Sequence, residues 1–402
     1  VAAYEYKAIK QTGDVIEGSI VAKDRAEVLE ILRDKEYQPI KIEEHRENKN
    51  VDILASFTRV KVKDIAIFCR QFYTMLHSGI SIIQCLDILR QQFDNVKLRV
   101  IIGQIYDQVQ KGSALSESMR MHKDVFPELL INMIEAGEAS GNLDVILLRM
   151  SEHFEKDTKL KRKITGAMIY PIVLASVMVI VVIGLITFVM PTFIGMFSSS
   201  GVELPGPTRV LLAISNFITS YWYIIIAILI VAIYLFRRSL KTESGRHSFD
   251  KFKLNVPIFK SVTIRVATTR FARTLSTLLS SGIPLLNAME ITSRVVGNKV
   301  VERAIMNVRE DVRKGFDLAG PIKRTKLFPP MVDSMIKIGE ESGSLDDVLR
   351  KTADFYDDEV DSAISKMTSL MEPLMIVIMA VVIGAVVISI ALPMFSMFET
   401  IG

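Results

Sequence analysis

Hydrophobic positions along the chain follow three successive patterns. Over the first 45 residues they alternate. YEYKAIK and VIEGSIVA are short period-two runs separated by the turn QTGD, and YQPIKIEE is another extended run. Between them, DRAEVLEILRDK places apolar residues at helical spacing. This predicts a small ββαβ module over 1–45, with the polar stretch EEHRENKN leading into a linker at 46–60. From residue 61 the period lengthens to three and four. IAIFCRQFYTMLHSGI stops at Gly79, a helix C-cap position, and SIIQCLDILRQQF resumes the pattern. A third helix covers 96–110, a short one starts at Leu115, and another begins near Phe126–Pro127, where proline is tolerated in a first turn. The last begins after Gly141 and runs on.

The third pattern is continuous apolarity. Residues 164–202, 210–236 and 373–398 carry no charge at all. Each run is at least as long as the ~20 residues a helix needs to cross a bilayer. Core helices seldom run this far without a charge, so three transmembrane helices are expected, at 168–194, 210–236 and 373–395. None is N-terminal, so none reads as a cleavable signal peptide.

The pattern is also duplicated. FPELLINMIEAGEASGNLDVIL (126–147) and FPPMVDSMIKIGEESGSLDDVL (328–349) share eleven of 22 positions at an offset of 202. FCRQFYTMLHSGI (68–80) matches FARTLSTLLSSGI (271–283) at 203, pairing Phe68, Arg70, Leu76, Ser78, Gly79 and Ile80 with Phe271, Arg273, Leu279, Ser281, Gly282 and Ile283. Lys111-Gly112 recurs as Lys314-Gly315. The 202 register continues into the apolar runs, where Pro171 pairs with Pro373, Pro191 with Pro393, and Phe193 with Phe395. The repeating unit is therefore a polar domain plus the span that follows it. Two directly joined copies would lie on opposite sides of a membrane. The unpaired middle span returns the chain, so that both domains share one side.

Charge assigns that side. Lys156, Lys159, Lys161, Arg162 and Lys163 precede the first span, and Arg237, Arg238 and Lys241 follow the second. Arg209 is the only basic residue between them. The positive-inside rule then places 1–165 and 237–370 in the cytoplasm, 195–209 as a short outer loop, and the tail 396–402 outside. Lys366 precedes the third span together with Asp357, Asp358, Glu359, Asp361 and Glu372, so there the parity of the spans decides. The N-terminus is expected inside and the C-terminus outside.

Composition narrows function mainly by exclusion. The chain of 402 residues is 50% hydrophobic, and its net charge of +4 gives no basis for direct nucleic-acid binding. Its two cysteines, Cys69 and Cys85, fit no zinc or redox spacing, and with His77 they lie on an apolar helical pattern that reads as packing. No phosphate-binding glycine loop, H-E-x-x-H, C-x-x-C or nucleophile elbow occurs. No cofactor and no catalysis are expected. The paired acids Glu138/Asp144 and Glu340/Asp346 are the candidates for a cation, weighed against capping and surface charge. The spans contain no Asp, Glu, Lys, Arg or His, which argues against an ion-coupled transporter. A channel would have to rely on groups such as Ser176, Thr187, Ser215, Asn216, Thr219, Ser220 and Ser389.

The segments G-E-x-S-G-x-L-D at 137–144 and 339–346 read as joints. Asn142 and Ser344 suit the N-cap, and Asp144, Asp346 and Asp347 suit a first turn. Gly137, Gly141, Gly339 and Gly343 allow a sharp bend. Pro171 and Pro373 are expected to kink the helices at membrane entry. Gly184 and Gly384 offer close helix approach.

These two motifs, with F-x-R-x-x-x-x-(M/L)-L-x-S-G-I at 68–80 and 271–283, the N-terminal module and the three-span plan, resemble the type II secretion system F family over nearly the whole chain. That family includes the platform proteins of type IV pilus assembly. The resemblance implies a mainly α, polytopic protein of the cytoplasmic membrane whose two cytoplasmic domains are six-helix bundles. It implies a homo-oligomeric platform without ATPase activity of its own. Implied partners are a hexameric assembly ATPase, pilin or pseudopilin subunits, other inner-membrane assembly proteins and the lipid bilayer. A competence (DNA-uptake) version of the platform is an alternative within the family. Arg70 and Arg273 then have two readings: a buried pair with a carboxylate such as Asp87 or Glu290, or a contact to the ATPase.

Overall fold

A computed structural model of the chain describes residues 2–9, 15–22, 25–34, 37–44, 58–189, 191–192 and 206–401. Most of the expected linker and outer loop, and the QTGD turn, lie outside the described residues. The chain divides into two compact units, Val1–Lys61 with Ile80–Ser113, and Val62–Gly79 with Ala114–Gly402.

In the first unit, strands β1 (Ala2–Ile9) and β2 (Val15–Ala22) are followed by helix α1 (Arg25–Asp34) and strand β3 (Gln38–Glu44). The sheet order is β2-β1-β3, antiparallel throughout. The β1/β3 register slips between Lys7 and Ala8, where Ala8 faces Pro39, a residue with no N–H to donate to a ladder. Val28 and Leu32, one turn apart on α1, are fully buried, as is Ala8. The same unit holds a helical hairpin, α3 (Ile82–Gln92) and α4 (Val96–Gln110). Each helix starts on a side-chain cap, Ser81 accepting from Gln84 N–H and Asn95 from Leu98 N–H. Leu86, Leu89, Ile102 and Ile105 supply its buried apolar face.

The second unit contains α2 (Val62–His77), α5 (Leu115–Arg120), α6 (Glu128–Ser140) and α7 (Leu143–Gly184, prolonged by a π-turn at Leu185–Val189). It continues with α8 (Gly206–Ser239), α9 (Glu243–Asn255), α10 (Pro257–Ser280), α11 (Leu285–Val295), α12 (Lys299–Arg313), α13 (Ala319–Thr325), α14 (Pro330–Ser342) and α15 (Leu345–Ile401). The duplication extends to helix boundaries. The starts of α11 and α12 fall 203 residues after those of α3 and α4, and the starts of α14 and α15 fall 202 after those of α6 and α7.

Within each repeat the first and last helices form the main pairing, α2 on α7 and α10 on α15. Phe68 sits between Phe72 and Phe126, with ring centroids 5.6 Å from each. In the second repeat Phe271 meets Phe328 at 5.0 Å.

Among the described residues, three helices are long and apolar enough to cross a membrane: Leu143–Val189, Thr208–Ser239 and Leu345–Ser389. Their apolar side chains are not a core. Ile180, Phe188, Ile228 and Val381 are each more than 60% exposed, as suits side chains that face an apolar surrounding such as a bilayer. The middle helix is tied to both others through hydroxyls. Ser215 donates to the Ile186 carbonyl in the π-turn at 2.8 Å, and Thr208 to the Ser389 carbonyl at 2.6 Å. Helices α7 and α15 run unbroken through Pro171 and Pro373. Irregular backbone is found at the π-turn, where the Ile186 carbonyl accepts from the Ser215 hydroxyl, and at Tyr221 (φ −119°, ψ 20°). α15 remains helical through 396–401, the residues expected as a tail.

Candidate functional site

The joint between α6 and α7, and its copy between α14 and α15, is built from backbone first. Gly141 (φ 71°) and Gly343 (φ 68°) end α6 and α14 in the left-handed region. The N–H groups of Asn142 and Gly141 donate to the carbonyls of Gly137 and Glu138, at 3.0 and 3.4 Å. Ser344 and Gly343 donate identically to Gly339 and Glu340. This is the Schellman termination, in which a positive φ turns the chain so that the last carbonyls are satisfied. Gly79 (φ 84°) and Gly282 (φ 80°) end α2 and α10 in the same region.

Gly137 and Gly339 act differently from the bend expected of them. Both are helical, and a Cβ on Gly137 would lie 3.0 Å from Ile146 Cγ1 and 3.2 Å from Leu143 Cα. On Gly339 it would lie 2.9 Å from Leu345 Cα. Their role is close passage of the next helix.

Glu138 and Glu340 reach away from the joint. Glu138 accepts from Leu115 N–H at 2.6 Å, from Ser116 N–H at 3.1 Å and from the Ser116 hydroxyl at 2.5 Å. Glu340 accepts from Leu318 and Ala319 N–H at 2.6 and 3.1 Å. Each carboxylate thus caps the short helix of its own repeat, where unpaired N–H groups and the helix dipole favour an anion. Asp144 instead meets His77 Nδ1 at 3.3 Å, which holds its carboxyl below the usual range. The backbone carbonyl of Asp346 accepts from the Ser276 hydroxyl at 2.7 Å. The acidic pairs therefore do not converge on a common point. Among the described residues, no group of three or more His, Cys, Asp or Glu is placed to hold a metal.

Two capping expectations differ in detail. Asn142 makes no side-chain cap hydrogen bond, because its backbone (φ −109°, ψ 42°) is already committed to the Schellman turn. Its Nδ2 donates to the Ser140 carbonyl at 3.3 Å. The Ser344 hydroxyl lies 2.7 Å from that of Ser342.

Arg70 and Arg273 each pair with a carboxylate, but not with Asp87 or Glu290. Arg70 makes two bonds of 3.0 Å to Glu155 on α7, and Arg273 donates to Asp357 on α15. Asp87 pairs within its own helix with Arg90, and Glu290 pairs with Arg294 and Arg309. The partners lie on the helices packed alongside, so neighbours in sequence are the wrong place to look. Glu155 and Asp357 are themselves related by the offset of 202, and that recurrence is the signal that could have found them. Cys69 and Cys85 are free and fully buried, and burial pushes the Cys69 thiol up. His77 departs from the packing expectation: its side chain is exposed and stacks on Tyr73. Among the described residues, nothing lies within 4 Å of a Cβ placed on Gly184 or Gly384.

The two repeats also meet each other. α7 lies against α10 and α15. Next to the spans the contact is mainly apolar: Leu160, Val262, Val360, Ala363, Ile364 and Met367 are buried together, and Lys163 pairs with Asp361 at 2.5 Å beside them. Further along, Arg270 pairs with Asp157 at 3.0 Å and Lys156 with Asp354 at 2.6 Å. Arg149 donates to the hydroxyls of Ser280 and Ser281, both at 2.9 Å.

The architecture is that of a duplicated, mainly helical, polytopic membrane protein whose repeats hand a continuous helix to the membrane. The family model described as type II secretion system (T2SS), protein F matches residues 68–191 and again 271–393, and that of its N-terminal domain matches 1–43. The chain belongs to the type II secretion system protein F family. It is 38% identical over 396 residues to the type IV pilus assembly protein PilC of Myxococcus xanthus, covering 98% of this chain and 95% of that protein. It is 37% identical to the PilC of Thermus thermophilus, covering 99% of both. The type II secretion system protein F of Vibrio cholerae is 32% identical, over 91% of each.

Proposed function

We propose that this chain is the cytoplasmic-membrane platform on which a type IV pilus or a secretion pseudopilus is assembled. The observation that carries the proposal is the duplicated joint. In each copy a glycine-terminated turn, a carboxylate cap and an arginine–carboxylate pair fix a helical domain to a helix that continues into the membrane. That is the mechanical arrangement a platform needs, and it occurs in a chain with full-length relatives named for pilus assembly and for type II secretion.

In this reading 61–165 and 237–370 are cytoplasmic six-helix bundles and 1–45 is an accessory ββαβ module. The N-terminus lies inside and the C-terminus outside. The bundles engage a hexameric assembly ATPase, and the uncharged spans lie beside apolar pilin or pseudopilin helices. The chain transmits motion and performs no catalysis, and it works as a homo-oligomer with other inner-membrane assembly proteins. Glu138, Glu340, Arg70 and Arg273 keep the bundles rigid rather than binding a ligand.

The test is capture of the cognate assembly ATPase by the full-length chain in nanodiscs. Saturable binding that survives removal of 1–45 is expected. Absence of binding in both nucleotide-bound and nucleotide-free conditions contradicts the reading.

A further inference from the structure

The contact between the two repeats changes character along its length. Beside the spans it is mainly apolar, with Val360 fully buried and Leu160 and Met367 each 4% exposed, and with the exposed Lys163–Asp361 pair at its edge. Away from the membrane it opens into a cavity of about 340 Å³, lined by Arg149, His153, Arg273, Ser280, Asp346 and Asp354. A second gap of about 420 Å³ follows, between Glu128 and Ala139 on α6 and Asn287 and Ile291 on α11. At this far end the repeats are bridged by polar contacts. Lys156–Asp354 and Arg294–Glu128 have side chains 44–54% exposed. Arg149 adds its bonds to Ser280 and Ser281.

Ion pairs this exposed hold little against water and are screened by salt. The apolar cluster depends on burial and resists separation. Two groups beside the cavity are also poorly served in the closed arrangement. Arg273 Nε and His153 Nδ1 are buried with no hydrogen-bond partner among the described residues, although both residues line the cavity. Parting the far end would hydrate both, and it would expose almost no apolar surface because the gaps already separate the walls there.

We propose that the two repeats form a hinge: they part at the end far from the membrane and pivot on the apolar cluster beside it. Because α7 and α15 each continue without interruption from this seam into a span, opening the far end levers the two spans against each other. A partner that bridges or wedges the far end thereby acts on the membrane segment. The hinge follows from the seam alone and stands independently of the assembly reading.

The experiment is pulsed electron-spin distance measurement on the full-length chain in nanodiscs. One label pair replaces Glu152 and Arg350 at the far end, and the other replaces Arg162 and Lys366 beside the cluster; all four are exposed. The buried Cys69 and Cys85 stay unlabelled. Raising salt from about 0.1 M to about 1 M shortens the Debye length from about 10 Å to about 3 Å. The far-end distances are expected to broaden toward longer values while those near the membrane stay narrow. Glu128→Gln combined with Asp354→Asn should give the same broadening at low salt. Equal, narrow distributions under all conditions, or both pairs widening together, would overturn the hinge.

Discussion

Arg273 donates to Asp357 across the α10/α15 contact, as Arg70 donates to Glu155 across α2/α7. The two pairs are copies, but their surroundings differ. The Arg273 side chain is 8% exposed, against 38% for Arg70. Removing one partner of a buried pair strands the other, whereas an exposed pair loses little. Arg273→Ala should therefore destabilise the second repeat by about 2–4 kcal/mol, and Arg70→Ala should destabilise the first by about 1 kcal/mol or less. Thermal unfolding of the purified variants in detergent, followed by circular dichroism, checks the ordering.

Glu138 and Glu340 cap helices that precede them in sequence. Glu138→Gln and Glu340→Gln keep the shape and remove the charge. Each is expected to cost about 1–2 kcal/mol from weakened charge-assisted hydrogen bonds. The measurable signature is faster amide exchange at 115–119 in one variant and at 318–322 in the other.

Gly141 and Gly343 hold φ values that an L-residue adopts at a cost of about 1–2 kcal/mol. Gly141→Ala and Gly343→Ala should each lower the melting temperature. Gly384→Ala, where an added methyl meets nothing among the described residues, should leave it unchanged. Gly339→Ala should be more damaging than either cap variant, because its methyl would lie 2.9 Å from the Leu345 backbone.

Much of the architecture was legible in residue spacing. The helix expected at 96–110 is α4, and the charge-free runs are the three spanning helices. The repeat was legible because identities at a fixed offset need no structural knowledge. What escaped was pairing between distant segments. Arg70 lies 85 residues from Glu155, and Glu138 lies 23 from Leu115. Local periodicity indicates which face of a helix is buried without naming the side chain on the helix alongside.

His153 has no imidazole counterpart in the second repeat, where Phe355 occupies the position 202 residues on. Burial first, then the positive charge of Arg273, lower its pKa from 6.5 to about 4; Asp157 opposes this by more than Arg270 adds to it. The unfolded chain thus binds a proton that the folded chain refuses between those values. Stability is present above pH 6.5 and falls on acidification toward pH 4, by about 1.4 kcal/mol per unit at most from this group. His153→Phe should flatten that part of the pH–stability curve, measured by thermal melts between pH 7 and 4.

The platform role is tested most directly by deleting the gene in its own host and counting surface filaments, or measuring secretion where the system is secretory. Loss of filaments or secretion with the pilin subunits still present in the cytoplasmic membrane, restored by the intact gene, is the predicted result. Normal filaments and normal secretion in its absence would contradict the account.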